Sequence, residues 1–83
     1  MEAKPSSSIG DALEAAVLSG IPNAVVEVSP GSPGHYSLVV RSEAFRGRSM
    51  LESHRMVYAT IAGLMSGDAA PVHAIDTLKT IAG

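Results

Sequence analysis

Cysteine is absent from all 83 residues, which excludes a disulfide framework and any metal site built on the chain's own thiolates. Iron or zinc held here would have to borrow its sulfur. Tryptophan is missing too, and one phenylalanine and two tyrosines are the only aromatic residues. Valine, leucine, isoleucine and alanine must therefore fill the core, with Phe45, Tyr36 and Tyr58 as the few large pieces. No apolar stretch reaches the ~18 residues of a membrane span. The opening Met1-Glu2-Ala3-Lys4-Pro5 has neither the apolar run of a signal peptide nor the arginines of a transit peptide. A soluble, cytoplasmic protein with no membrane contact is expected.

Two enzyme signatures are also lacking. There is no cysteine nucleophile and no Gly-x-Ser-x-Gly elbow, and the serines at 6–8 lie in a terminal stretch that cannot hold a triad in register. Gly31 and Gly34 lead into a strand pattern, whereas a phosphate-cradling loop opens a helix. The chain is not expected to be an enzyme.

What is present is an apolar chain of modest size. Hydrophobic residues make up 46% and charged residues 17%, enough to fold without help. A domain of this size buries roughly 60–65% of its unfolded surface, which leaves little room for a large enclosed active site. The net charge of −2 is unevenly placed. Residues 1–40 carry Lys4 against Glu2, Asp11, Glu14 and Glu27, whereas residues 41–55 carry Arg41, Arg46, Arg48 and Arg55 against Glu43 and Glu52. The basic segment could meet phosphates or an acidic partner, and its plainer reading is a solvated charged face.

Taken in order, residues 1–6 are expected to form a disordered tail and residues 7–83 a single domain. Ser8 and Asp11 resemble a helix cap, followed by Ile9, Ala12, Leu13, Ala16 and Val17 on one stripe ending at Gly20, which suits a left-handed helix terminus. Ala24–Val28 and Tyr36–Arg41 have strand patterns, the second placing Tyr36, Leu38 and Val40 on one face and Ser37, Val39 and Arg41 on the other. The seven residues Ser29 to His35 between them form a loose loop. Ser49 and Glu52 form a capping box that starts a long helix near Met50. Its apolar stripe is expected to hold Met50, Leu51, His54, Val57, Tyr58, Ile61, Leu64 and Met65, with Glu52 and Arg55 pairing weakly outside. Ser66-Gly67-Asp68 ends it, Pro71 bars continuation, and Val72–Ile81 is expected to be a strand with a possible terminal turn.

Helix, strand, strand, helix, strand makes a two-layer α/β (α+β) domain with a small mixed three-stranded sheet. A helical crossover makes the second and third strands parallel, so both begin at one end of the sheet. His35 opens the second and His73 the third, which brings both histidines to one edge. Two exposed histidines without thiolate or carboxylate partners form an incomplete metal site, one that another protein would have to complete. His54 is assigned instead to the core, half-buried and bonded to a backbone carbonyl.

The segments Ser42-Glu43-Ala44-Phe45-Arg46-Gly47-Arg48-Ser49, His54-Arg55-Met56-Val57-Tyr58 and Val72-His73-Ala74-Ile75 resemble the signature of the BolA-like proteins. That signature runs Ser-x-x-Phe-x-Gly, Arg-His-Arg, then His-Ala-Leu, and the match covers about half the chain. The resemblance implies a domain similar to the type II KH fold. It also implies partnership with a monothiol glutaredoxin and glutathione around a shared 2Fe-2S cluster, in cluster trafficking or iron-dependent regulation. The chain alone would be a monomer holding no cluster, and a heterodimer with its partner. His73 matches the family's cluster-binding histidine, and His35 sits where members carry a histidine or cysteine. Phe45, Gly47 and His54 take structural roles. BolA-like proteins are further associated with stress response and transcription regulation, so the alternative is DNA binding through Arg41, Arg46, Arg48 and Arg55. The chain departs from the pattern at Ser53, which replaces the first arginine of Arg-His-Arg, and at Arg46, where an acidic residue is frequent. Asp76-Thr77-Leu78-Lys79 is one residue longer than usual, suggesting a bulge or an early end to the last strand.

Overall fold

The computed structural model describes residues 9–67 and 70–83. The expected terminal tail, the Ser8 cap and Asp68 lie outside the described residues. Helix α1 (Ile9–Gly20) buries Leu13 and Val17, four residues and about one turn apart, on the stripe expected from the sequence. Its end differs from the expectation. Gly20 is the last helical residue and has no positive φ; the left-handed residue is Asn23, with φ 54. Gly20 is needed for close approach instead, because a Cβ there would run into the side chain of Thr60 on the second helix.

Strands β1 (Val25–Pro30) and β2 (His35–Ser42) pair antiparallel from Val25↔Arg41 to Pro30↔Tyr36. Pairing thus continues two residues past the expected end of the first strand, β2 begins one residue early, and the seven-residue loop shrinks to residues 31–34. Pro30 is tolerated there because β1 is an edge strand, where a missing N–H costs no ladder bond. The loop is closed by Gly31 N–H donating to the His35 carbonyl at 2.8 Å and His35 N–H donating to the Ser32 carbonyl at 2.8 Å.

A 3₁₀ turn (Glu43–Phe45) follows β2 and drives Phe45 into the core. The turn hangs on Ser42, which is buried. Its Oγ donates to the Pro22 carbonyl at 2.9 Å and accepts the Ala44 N–H at 3.0 Å. One hydroxyl thus joins the turn before β1 to the turn after β2. Ser42→Ala would strand both groups, and the expected cost is about 1–3 kcal/mol. Urea unfolding followed by far-UV circular dichroism measures it; a loss under about 0.5 kcal/mol would contradict this account.

Helix α2 (Met50–Met65) starts at the expected capping box. Ser49 Oγ accepts the Glu52 N–H at 3.1 Å, and Glu52 Oε1 accepts the Ser49 N–H at 3.0 Å. The Glu52 carboxylate is therefore spent on the cap and forms no pair with Arg55. The buried line of α2 is Ser53, Val57 and Ile61, with Met56, Leu64 and Met65 packed beside it. This corrects the expected stripe, since Met50, Leu51 and Tyr58 are exposed. At ~100° per residue, Leu51 and Tyr58 lie about 100–120° off the Val57 direction, too far round to reach the sheet. Met50 shares that direction but sits in the first turn.

Strand β3 (Ala74–Ala82) is strand throughout, with no terminal helical turn. It pairs parallel with β2, giving the order β1-β2-β3. The α+β fold with one mixed sheet is therefore as the element order implied. Leu38 and Val40 of the central strand pack against both helices' buried residues, and Val72 closes the core just before β3. Val25, Glu27, Arg41 and Lys79 lie exposed on the strands. No helix among the described residues is long and apolar enough to cross a membrane.

Candidate functional site at the start of the parallel strands

His35 and the exposed His73 stand side by side in the backbone where β2 and β3 begin. His35 is the first residue of β2 and is in register with Ala74, the first residue of β3; His73 immediately precedes it. The Gly34 carbonyl accepts the N–H of His73 at 2.8 Å and of Ala74 at 3.2 Å. The backbone on both sides of the site is therefore stitched together, independently of either imidazole.

Burial alternates along the chain entering β3. Val72 is fully buried and its N–H donates to the Leu64 carbonyl at 3.1 Å, at the end of α2, so the next side chain, His73, is left outside. The His73 ring lies over Gly34. A Cβ on Gly34 would overlap the ring, falling 2.9 Å from Cγ and 3.1 Å from Nε2. Gly34 also has φ 81, a conformation that a side chain would strain. One glycine thus provides both the turn and the seat for the ring.

His35 is held differently. Its Nδ1 lies 2.9 Å from Asp76 Oδ1, and both side chains are partly exposed, at 39% and 51%. Asp76 reaches it from a β-bulge. The register runs Tyr36↔Ile75 and then Ser37↔Thr77, so Asp76 has no opposite number on β2. The surplus residue expected in 76–79 is therefore a bulge, and the strand does not end early. Asp76 is a site residue that residue types alone did not single out; its signal was that one-residue surplus.

Among the described residues no group of three histidines, cysteines or acids could hold a metal ion. The site offers two imidazoles and, among the described residues, no full ligand set for a metal ion.

The remaining candidates lie elsewhere. His54 is half-buried and has no hydrogen-bond partner among the described residues, so the expected bond to a backbone carbonyl is not found there. It lines a groove of about 410 Å³ between the start of α2 and β3, with Arg48, Lys79, Phe45, Met50 and Leu78. Phe45 is buried and Gly47 has φ 75. The four arginines are divided. Arg41 is an exposed residue of β2, and Arg55 lies on the exposed side of α2. Arg46 Nη2 donates to the main-chain oxygen of Gly83 at 2.9 Å, and Arg48 Nε donates to the Ala44 carbonyl at 3.1 Å.

Comparison with known proteins agrees with this architecture. Human BolA-like protein 1 is 44% identical over 48 residues, a stretch covering 58% of this chain and 33% of that protein. The match thus spans about a third of that relative's length. The solved structure of a BolA homologue from Coxiella burnetii is 28% identical with a TM-score of 0.71, covering 89% of this chain and 88% of that one. Mouse BolA1 in solution shares the fold at 24% identity and a TM-score of 0.65, covering 96% and 74% of the respective chains. The model of the family described as BolA-like protein matches residues 20–82, and on that match the chain belongs to the BolA-like family.

Proposed function

We propose that this protein is a partner of a monothiol glutaredoxin and supplies His73, and secondarily His35, to a 2Fe-2S cluster shared with that partner and glutathione. The observation that carries the reading is the placing of two accessible imidazoles at the start of β2 and β3, where the described residues supply no full ligand set for a metal ion. The chemistry of the donors fits. Imidazole is an accepted ligand of mixed thiolate–histidine clusters, and the thiolates this chain lacks are what such a partner brings. The chain's own part is to present the two residues side by side at the start of a parallel strand pair, and to offer their rings without a proton on the ligating nitrogen. It is a binding partner acting in the cytoplasm, in cluster trafficking or iron-dependent regulation, and not an enzyme.

The test is to mix the protein with cluster-loaded monothiol glutaredoxin and follow visible absorption and circular dichroism. His73→Ala should abolish the spectral change that marks the mixed complex, and His35→Ala should reduce it less. An unchanged spectrum with His73→Ala would sink the ligand assignment. Binding should also weaken on acidification, because a protonated imidazole has no lone pair to give. The DNA-binding reading has less behind it, since Arg46 and Arg48 each spend a guanidinium N–H on a backbone carbonyl and Arg41 and Arg55 sit on other elements.

A further inference from the structure

We infer that Asp76 is a positioning residue that decides which ring nitrogen of His35 faces a metal. The inference rests on the reading in which His35 is a ligand. An ionised carboxylate can only accept a hydrogen bond, so the 2.9 Å contact between Asp76 Oδ1 and His35 Nδ1 places the ring proton on Nδ1. In a neutral imidazole, Nε2 is then the nitrogen with the free lone pair. Among the described residues no other hydrogen bond competes for the ring. A carboxylate holding the far N–H of a ligating histidine is a recurrent feature of metal sites, because it fixes the ring's tautomer and direction and raises its basicity.

The fold departs from regularity to make this contact. Without the extra residue, Ile75 and Thr77 would follow one another in step with Tyr36 and Ser37, and no carboxylate would stand at this point of the strand. The bulge interrupts the ladder at Asp76 and presents its side chain to the histidine across the strand pair. The pair is too exposed to contribute much to stability, since ion pairs in contact with water are largely offset by solvation and side-chain entropy. A stability role therefore does not account for the irregularity; orientation of His35 does.

The experiment reads the tautomer directly, with no cluster present. In ¹⁵N-labelled protein under mildly alkaline conditions, long-range ¹H–¹⁵N correlations should show His35 protonated at Nδ1. Asp76→Ala should move the ring to a mixture or to the Nε2–H form, and Asp76→Asn, whose amide oxygen still accepts, should restore part of the Nδ1–H population. Deleting Asp76 regularises the ladder and should give the alanine result in a folded protein. With cluster-loaded glutaredoxin, Asp76→Ala should weaken the complex by about 10-fold, the lower end of outer-shell effects on metal sites. An unaltered tautomer in Asp76→Ala overturns the inference. If His35→Ala weakens the complex and Asp76→Ala does not, Asp76 alone loses its role. If neither weakens it, His35 is not a ligand, and both the inference and that part of the proposed function fall while His73 stands.

Discussion

Leu38→Ala should remove a large share of the domain's stability. Leu38 is fully buried in the central strand, in register with Val28 on one side and Leu78 on the other. It belongs to one core cluster with buried residues of both helices, and the surrounding backbone, tied into two ladders, cannot close over the vacated space. A substitution of this type costs about 2–5 kcal/mol. Against a total of roughly 4–12 kcal/mol for a domain of this length, that is a quarter to a half or more of the stability, and it lowers the urea midpoint in proportion. Urea titration followed by circular dichroism measures the effect through the midpoint, and a loss below about 1 kcal/mol would show that the core is not organised around this residue.

Gly34→Ala should have the largest effect on the proposed site for the smallest change in atoms. Two penalties fall on one methyl group. The backbone at φ 81 disfavours any side chain, at about 1–2 kcal/mol, and the new Cβ occupies the place of the His73 ring. The ring can turn away, because His73 is exposed and, among the described residues, its hydrogen bond is the one from its backbone N–H to the Gly34 carbonyl. The expected result is a folded domain, modestly destabilised, whose spectral change with cluster-loaded glutaredoxin falls to that of His73→Ala. Proton chemical shifts of the His73 ring should move in the free protein. A variant that keeps the wild-type spectrum would show that the ring's seat over Gly34 has no bearing on ligation.

Much of this was readable from residue order, and the misses have local physical causes. Leu13 and Val17 announced the buried stripe of α1, and the helical crossover was enough to make β2 and β3 parallel and bring His35 and His73 together. On α2 apolarity and burial part company, since Met50, Leu51 and Tyr58 are exposed whereas a small polar residue, Ser53, occupies the inward position. Periodicity reports which residues share a face, and the sheet decides which face is turned inward. The strand ends at 30, 35 and 42 were missed because propensity stops at Pro30 and Ser42 while ladder pairing carries on. Gly20 illustrates the same limit, since its need to be small comes from Thr60, forty residues away in the chain. The surplus residue at 76 was visible; that its carboxylate would meet His35 depended on a register no local pattern encodes.

The bulge at Asp76 also bears on how the domain behaves among copies of itself. A three-stranded sheet has two open edges, and each is a template on which another chain could add a strand. On β1 that edge carries Pro30, which has no N–H to offer. On β3 the offset at Asp76 breaks the even row of donors and acceptors, so a foreign strand laid alongside could keep step on only one side of it, and Lys79 places a charge further along. The irregularity that directs a histidine thus also makes the sheet a poor seed for aggregation, allowing the domain to keep both edges uncovered.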